Sequence, residues 1–249
     1  MEVTGKTAIV TGGSRGIGRA IVLALAEKGA NCAVVYRSGE KEAEECAAEA
    51  RKLNVEARRL GGDARTYQAD VADRLQVRRM VEAVRKDFGG IDVLVNNAGV
   101  LSDDFAVARL TDAEWDRVLQ VNLTGTFYCI QESLESLRSC SGVVVSMSSI
   151  AGRMGGKVGC NYAASKAGII GLTQALATEL APDVRFNAVA PGPVDTELIS
   201  QEVKERLGAL SPLGRIASPE EIAHTVVFLA ENEYINGEVI NINAGRYMN

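Results

Sequence analysis

One histidine in 249 residues leaves this chain almost without the side chain on which most proton chemistry near neutral pH depends. The five cysteines, Cys32, Cys46, Cys129, Cys140 and Cys160, are scattered, odd in number and contain no C-x-x-C pair. Without paired spacing and with one histidine they show no zinc-site pattern, so no metal is expected, and free thiols in a reducing compartment are the plain reading. Cys160 stands close to Tyr162, but no histidine lies near it in sequence to activate it as a nucleophile. Prolines are few, five against twenty-five glycines, which suits a fold with many tight turns. Basic charge is in deficit: 27 Lys and Arg face 32 Asp and Glu, a net charge of −5, which argues against nucleic acid as a partner. No apolar run approaches the ~18 residues that span a bilayer. The N-terminus, MEVTGKTAIVTGG, enters a strand-like run without the basic region, apolar stretch and cleavage site of a secretory signal. A cytoplasmic protein that engages neither nucleic acid nor membrane is expected.

What is present is alternation. Short runs rich in Val and Ile recur at 7–11, 32–36, 91–97, 142–147, 184–190 and 238–242. Between most of them lie stretches of helical periodicity at 17–28, 40–53, 73–88, 112–138, 161–181 and 219–230. This pattern predicts βαβ units around a buried parallel sheet, an α/β fold in one domain over 1–249. Thr111–Glu114 and Ser218–Glu221 both carry the capping-box pattern, the second with Pro219 at the first helical position. The acidic stretch Glu40, Glu42, Glu44, Glu45, Glu49 reads as a solvated helix face. Segment 193–217 has the weakest pattern and reads as a substrate flap or as an ordinary surface helix pair.

After the first strand comes Thr11-Gly12-Gly13-Ser14-Arg15-Gly16-Ile17-Gly18. Glycines at 12, 16 and 18 make the tight turn, admit a diphosphate to the backbone and let the helix pack close to the sheet. The helix N-terminus that follows offers free N–H groups to phosphate. There is no Gly-Lys-[Ser/Thr], which disfavours a P-loop nucleotidase. The second strand ends Val35-Tyr36-Arg37-Ser38, with no carboxylate to bond ribose hydroxyls. Arg15 and Arg37 instead suit a 2′-phosphate, so NADP(H) is favoured over NAD; otherwise Arg37 is a solvated loop residue.

Tyr162 and Lys166 are four residues apart in a helical run, and so share one face, with small residues between them. With Asn96-Asn97-Ala98-Gly99 after the fourth strand and Pro191-Gly192 after the sixth, the chain resembles the classical short-chain dehydrogenase/reductase family from Lys6 onward. It is most similar to that family's 3-oxoacyl-acyl-carrier-protein reductases, through VNLTGTF (121–127), NYAASKAG (161–168), VAPGPVDTEL (189–198) and the ending GEVININAGRYMN. The resemblance implies a Rossmann-like, doubly wound parallel sheet of about seven strands with helices on both faces. It implies that Tyr162 gives a proton to a carbonyl oxygen while hydride arrives from the nicotinamide, and that Lys166 bonds the nicotinamide ribose. A free tyrosine titrates near ~10, and a neighbouring ammonium together with a cationic nicotinamide is expected to draw that value down. By family spacing Ser149 polarises the carbonyl, with Ser148 the fallback, and Asn122 anchors a relay water or else only kinks a helix. The implied cofactor contacts are Gly12, Ser14, Arg15, Gly16, Ile17, Gly18, Arg37, Ser38, Asp70, Val71, Asn97, Ala98, Gly99, Tyr162, Lys166, Pro191, Gly192, Val194 and Thr196. His224 reads as structural or surface.

The implied activity is NADPH-dependent reduction of a ketone, most naturally a 3-oxoacyl thioester on acyl carrier protein or CoA. The alternatives are a short-chain dehydrogenase for a sugar, polyol, steroid or other small alcohol, and a non-catalytic dinucleotide-binding protein. An acidic carrier would find little on 131–138, which carries Glu132 and Glu135 against Arg138, though Arg153 and Lys157 stand near the site in sequence. The resemblance also implies a homotetramer built on the two long helices and the last strand.

Overall fold

The computed structural model describes residues 1–56, 62–197 and 199–248, with side chains undescribed at 54–56. Strands β1 (Thr7–Thr11), β2 (Asn31–Tyr36), β3 (Ala64–Gln68), β4 (Val93–Asn96), β5 (Val143–Met147), β6 (Arg185–Pro191) and β7 (Val239–Ile242) form one sheet in the order β3-β2-β1-β4-β5-β6-β7. Every neighbouring pair is parallel. The helices are α1 (Gly16–Glu27), α2 (Glu40–Glu56), α3 (Arg74–Phe88), α4 (Asp112–Leu119), α5 (Gly125–Ser139), α6 (Ala151–Met154), α7 (Cys160–Glu179), α8 (Gln201–Ala209) and α9 (Pro219–Glu231).

Strand periodicity decides which helix each residue meets. Ala8, Val10, Val34, Val95 and Val145 point to one face and pack with Ile21, Leu25, Cys46, Ile222 and Leu229 of α1, α2 and α9. Ile9, Val35, Leu94, Val144 and Phe186 point to the other and pack with Val81, Val84, Ile130, Leu137 and Ala177 of α3, α5 and α7. Both faces are covered, so the inner strands are apolar throughout rather than alternating. Each fully buried Ile or Leu contributes roughly 1.5–3 kcal/mol. The chain reverses its direction of travel across the sheet between β1 and β4, and a crevice opens there above the carboxyl ends of the strands.

The structure departs from the sequence expectations in four places. β3 is no apolar run: at the sheet edge only Ala64 of its residues is fully buried, so ARTYQ has no second face to cover. The helix expected over 112–138 is broken into α4 and α5 by a π turn at Gln120–Thr124. Two tertiary contacts set that extra residue: the Asn122 amide bonds Val100 at both N–H and C=O, and Gly125 lies against the Val71 backbone. Only half of the first capping box forms, because the Glu114 carboxylate turns to Arg117 and the Asp103 N–H, whereas the Ser218–Glu221 box is complete. Among its described residues segment 193–217 holds one helix, α8, rather than a pair, with Val194 bridging Ala217 in parallel fashion.

Candidate active site

The first part of the site is made by backbone. Gly12 and Gly16 have φ of 63° and 52°, a region that L side chains avoid. A Cβ on Gly18 would stand 2.1 Å from the Gly12 carbonyl oxygen, so no other residue fits where α1 leaves the loop. Arg15 precedes α1 in extended conformation, and no side chain caps that end. The first N–H groups of α1 therefore remain available to an anion. Ser14 is buried and Ile17 half-buried beneath the turn, and Thr196 lies across from Gly16, its Cγ2 3.3 Å from where a Cβ would be. Asn97 ties β4 to this loop by donating to the Thr11 and Gly12 carbonyls at 2.9 and 3.1 Å, while Thr11 Oγ1 accepts from the Asn97 and Ala98 N–H groups.

The remaining cofactor candidates sit at the same carboxyl edge. Arg37 is exposed beside Ser38 after β2 and faces Asp70 at 3.9 Å, with Asp70 also accepting from the Ala72 N–H. Val71 packs inward against Gly125. The Pro191 carbonyl accepts from the Ile150 N–H and the Gly192 N–H reaches Ile242, which ties the end of β6 to both neighbouring strands. Arg15 is exposed and forms no ion pair with a described residue.

The second part is made by side chains. Ser149 leaves the end of β5 with its hydroxyl close enough to the Tyr162 phenol to lower it, while its Oγ accepts from the Ala151 N–H at 3.1 Å. Ser148 points the other way: its hydroxyl donates to the Lys166 carbonyl at 2.8 Å inside the fold. Strand alternation at the end of β5 thus separates two adjacent serines into one that faces Tyr162 and one that braces α7. Lys166 is buried, donates to the Met147 carbonyl at 2.7 Å, and holds its Nζ 5.7 Å from the Tyr162 ring centroid. Gly99 lies over it, and a Cβ there would come within 3.5 Å of Nζ and 3.3 Å of Asn122 Oδ1.

The electrostatics correct one expectation. Burial pushes the Tyr162 hydroxyl above its usual value, and the hydrogen bond from Ser149 pulls it back only in part. Burial outweighs any pull from Lys166, whose own ammonium is disfavoured by desolvation and lowered to about 8. His224 is exposed on α9. The buried thiols of Cys46 and Cys129 are pushed up to about 12 by desolvation, whereas Cys160 is exposed at the start of α7. Among the described residues no cluster of His, Cys, Asp and Glu is arranged to hold a metal, and no helix is long and apolar enough to cross a membrane.

Sequence reasoning treated the residues between Tyr162 and Lys166 as small fillers that leave room for ligands. Ala163 and Ala164 fit that view, but Ser165 is fully buried and bonded to Asn122. Asn161 is likewise fully buried and was not singled out. Only its place beside Tyr162 gave a hint.

The cradle at Gly12–Gly18 admits a diphosphate where a Cβ would block it, and Gly99 leaves the space above Lys166 Nζ open where a Cβ would come within 3.5 Å, so these residues fit a nicotinamide dinucleotide. A sheet of this order with such a cradle at its reversal point, and a tyrosine and lysine beside it, is the architecture of a dinucleotide-dependent dehydrogenase. Comparison with known proteins makes this specific. The short chain dehydrogenase family matches residues 6–207, and the chain belongs to that family: it is an oxidoreductase that uses a nicotinamide dinucleotide. It is 44% identical to the 3-oxoacyl-[acyl-carrier-protein] reductase FabG of Staphylococcus aureus (strain Mu50 / ATCC 700699), covering 100% of both chains. It is 39% identical to the protein of the same name from Aquifex aeolicus (strain VF5), covering 99% of each. A solved mutant of a Serratia marcescens short-chain dehydrogenase/reductase superposes with a TM-score of 0.90 at 35% identity, over 98% of this chain and 99% of that one.

Proposed function

We propose that the protein reduces a 3-oxoacyl thioester to the 3-hydroxyacyl thioester with NADPH. The observation that carries the chemistry is the Tyr162 phenol set between Ser149 and the buried Lys166, whose Nζ stands 5.7 Å from the Tyr162 ring centroid. Bound NADPH supplies the hydride to the ketone carbon. Ser149 donates to the ketone oxygen and holds it against the Tyr162 hydroxyl, which gives up its proton to form the alcohol. Burial suits Tyr162 to this direction, since a raised value keeps the phenol protonated and ready to donate. Lys166 stabilises the phenolate left behind, and Asn122, at the π turn above it, belongs to the path by which the proton returns. The glycines of the cradle and the free end of α1 hold the diphosphate. Arg15 and Arg37 favour the 2′-phosphate of NADPH; β2 itself ends without a carboxylate, and the nearest one, Asp70, stands 3.9 Å from the Arg37 guanidinium.

The thioester reading rests on full-length similarity to reductases named for 3-oxoacyl-[acyl-carrier-protein]. The fold also removes an objection to an acidic carrier. Glu132 is bound by Arg74 and Arg78, and Glu135 by Arg85, so α3 arginines neutralise the acids of the 131–138 face. On this reading the protein acts in the cytoplasm as a homotetramer, residues 193–217 form the flap over the substrate, and Trp115 and Phe127, both more than a third exposed on α4 and α5, lie in subunit contacts. Light scattering behind size exclusion that returned a 26.4 kDa particle would overturn the tetramer.

The test is loss of NADPH absorbance with acetoacetyl-CoA, run beside NADH. Turnover preferring NADPH is expected. Turnover with NADH alone overturns the Arg15 and Arg37 assignment, and no turnover in a protein that binds NADPH overturns the thioester substrate.

A further inference from the structure

Tyr162 is the third residue of α7, and the first turn of a helix frays unless something holds it. The residue before α7, Gly159, has φ of 86° and offers no side-chain cap. Two fully buried side chains take over, one on each side of the Tyr162 peptide. Asn161 Oδ1 accepts from the Tyr162 N–H at 2.9 Å, while its Nδ2 donates to the Glu114 carbonyl at 3.3 Å. Ser165 Oγ donates to the Tyr162 carbonyl at 2.7 Å and accepts from Asn122 Nδ2 at 3.0 Å.

Each arm ends in a fixed support. Glu114 lies in α4, its carboxylate paired with Arg117 and accepting from the Asp103 N–H. Asn122 lies in the π turn, its amide fully engaged by Val100 and Ser165. Neither arm touches the phenol. Both act on the backbone that carries it, from different helical segments.

We infer that Asn161 and Ser165 are positioning residues that clamp the Tyr162 backbone between α4 and the π turn and so set the phenol against Ser149. The inference rests on Tyr162 being the proton donor. A side chain on a frayed first turn would wander by an ångström or more, and a misplacement of about 1 Å can lower a rate on the order of 100-fold.

The test uses Asn161→Ala, Ser165→Ala and Ser165→Cys in the full-length protein. Ser165→Cys keeps the packing volume but donates only weakly, which guards against a variant that merely fails to fold. Each is expected to lower kcat with NADPH and acetoacetyl-CoA by roughly 10–100-fold while KM and the NADPH Kd stay within about threefold. The ultraviolet titration of Tyr162, isolated by subtracting Tyr162→Phe, is expected to shift in each variant, because the phenol moves relative to Ser149 and its buried surroundings. Variants with wild-type kcat overturn the clamp, as does a kcat loss that only follows a fall in Tm and Kd together. The titration needs no substrate. If the wild type reduces no 3-oxoacyl thioester, a shifted titration still supports the clamp and only the substrate reading fails. An unshifted titration overturns the clamp whatever the activity.

Discussion

The starts of α1 and α7 both face the crevice, and they are built by opposite means. At α1 the chain removes side chains: Gly12, Gly16 and Gly18 leave backbone against backbone, and the helix end stays uncapped. At α7 the chain adds buried polar side chains, and Asn161, Ser165 and Lys166 each have a partner from another segment. The first arrangement suits a ligand that is bound through its phosphates whatever its chemistry elsewhere. The second suits a proton donor that must stand at one place. A site made of backbone is damaged by adding an atom, and a site made of braced side chains is damaged by removing one.

That contrast can be broken at either end. The largest effect is expected from Tyr162→Phe, which takes away the proton and leaves the cradle untouched. Turnover should fall by roughly 100- to 10,000-fold with NADPH affinity nearly unchanged. Steady-state kinetics beside a fluorescence binding titration read both, and a variant with most of its rate would end the tyrosine assignment. Next comes Gly18→Ala, whose Cβ would meet the Gly12 carbonyl at 2.1 Å. Overpacking of this kind is worth about 1–3 kcal/mol, so NADPH should bind roughly 10- to 100-fold more weakly. Unchanged binding would mean that α1 does not approach its loop as described.

Two smaller effects concern pH. Desolvation lowers Lys166 to about 8 from 10.5, so the folded state binds fewer protons than the unfolded state between those values. Wild-type stability should therefore gain a favourable contribution as pH rises from 8 toward 10.5, and Lys166→Met should lack it in denaturation curves taken across that window. The smallest change is expected from Glu114→Gln. The Arg117 guanidinium holds the Glu114 carboxyl down at about 2, against an ordinary 4.5, so its contribution is complete above 4.5 and is lost as pH falls toward 2. The variant should melt about 2–4 °C lower at neutral pH, with the difference vanishing in acid. Because Glu114 also receives Asn161 through its carbonyl, a much larger loss of kcat than of Tm would show that α4 supports Tyr162 more than it supports the fold.

The backbone-made half of the site was open to reading because glycine spacing is a local signal. So was the pairing of Tyr162 with Lys166, which needs only the pitch of a helix. The π turn was hinted at only by the reading of Asn122 as a helix-kinking residue, and the break comes from Val100 and Val71, about 22 and 54 residues away along the chain from their partners at Asn122 and Gly125. β3 left no apolar run, because an edge strand has no need of apolar residues on both faces, and only the family's strand count placed it before Asp70. The choice between Ser148 and Ser149 rested on family spacing, and strand geometry gives it a physical basis by turning Ser148 inward to Lys166. In the protein alone Tyr162 is raised rather than lowered, because sequence places an ammonium near a phenol without saying how much water burial removes from both.

By itself, then, the sequence determined the alternation of strands and helices, the glycine cradle and the shared face of Tyr162 and Lys166, since each follows from periods and backbone sterics within a few residues. Only the tertiary structure decided which buried amides hold Tyr162 in place and how far desolvation moves it and Lys166. Those depend on packing between segments remote in the chain, and no local pattern records which segments will meet.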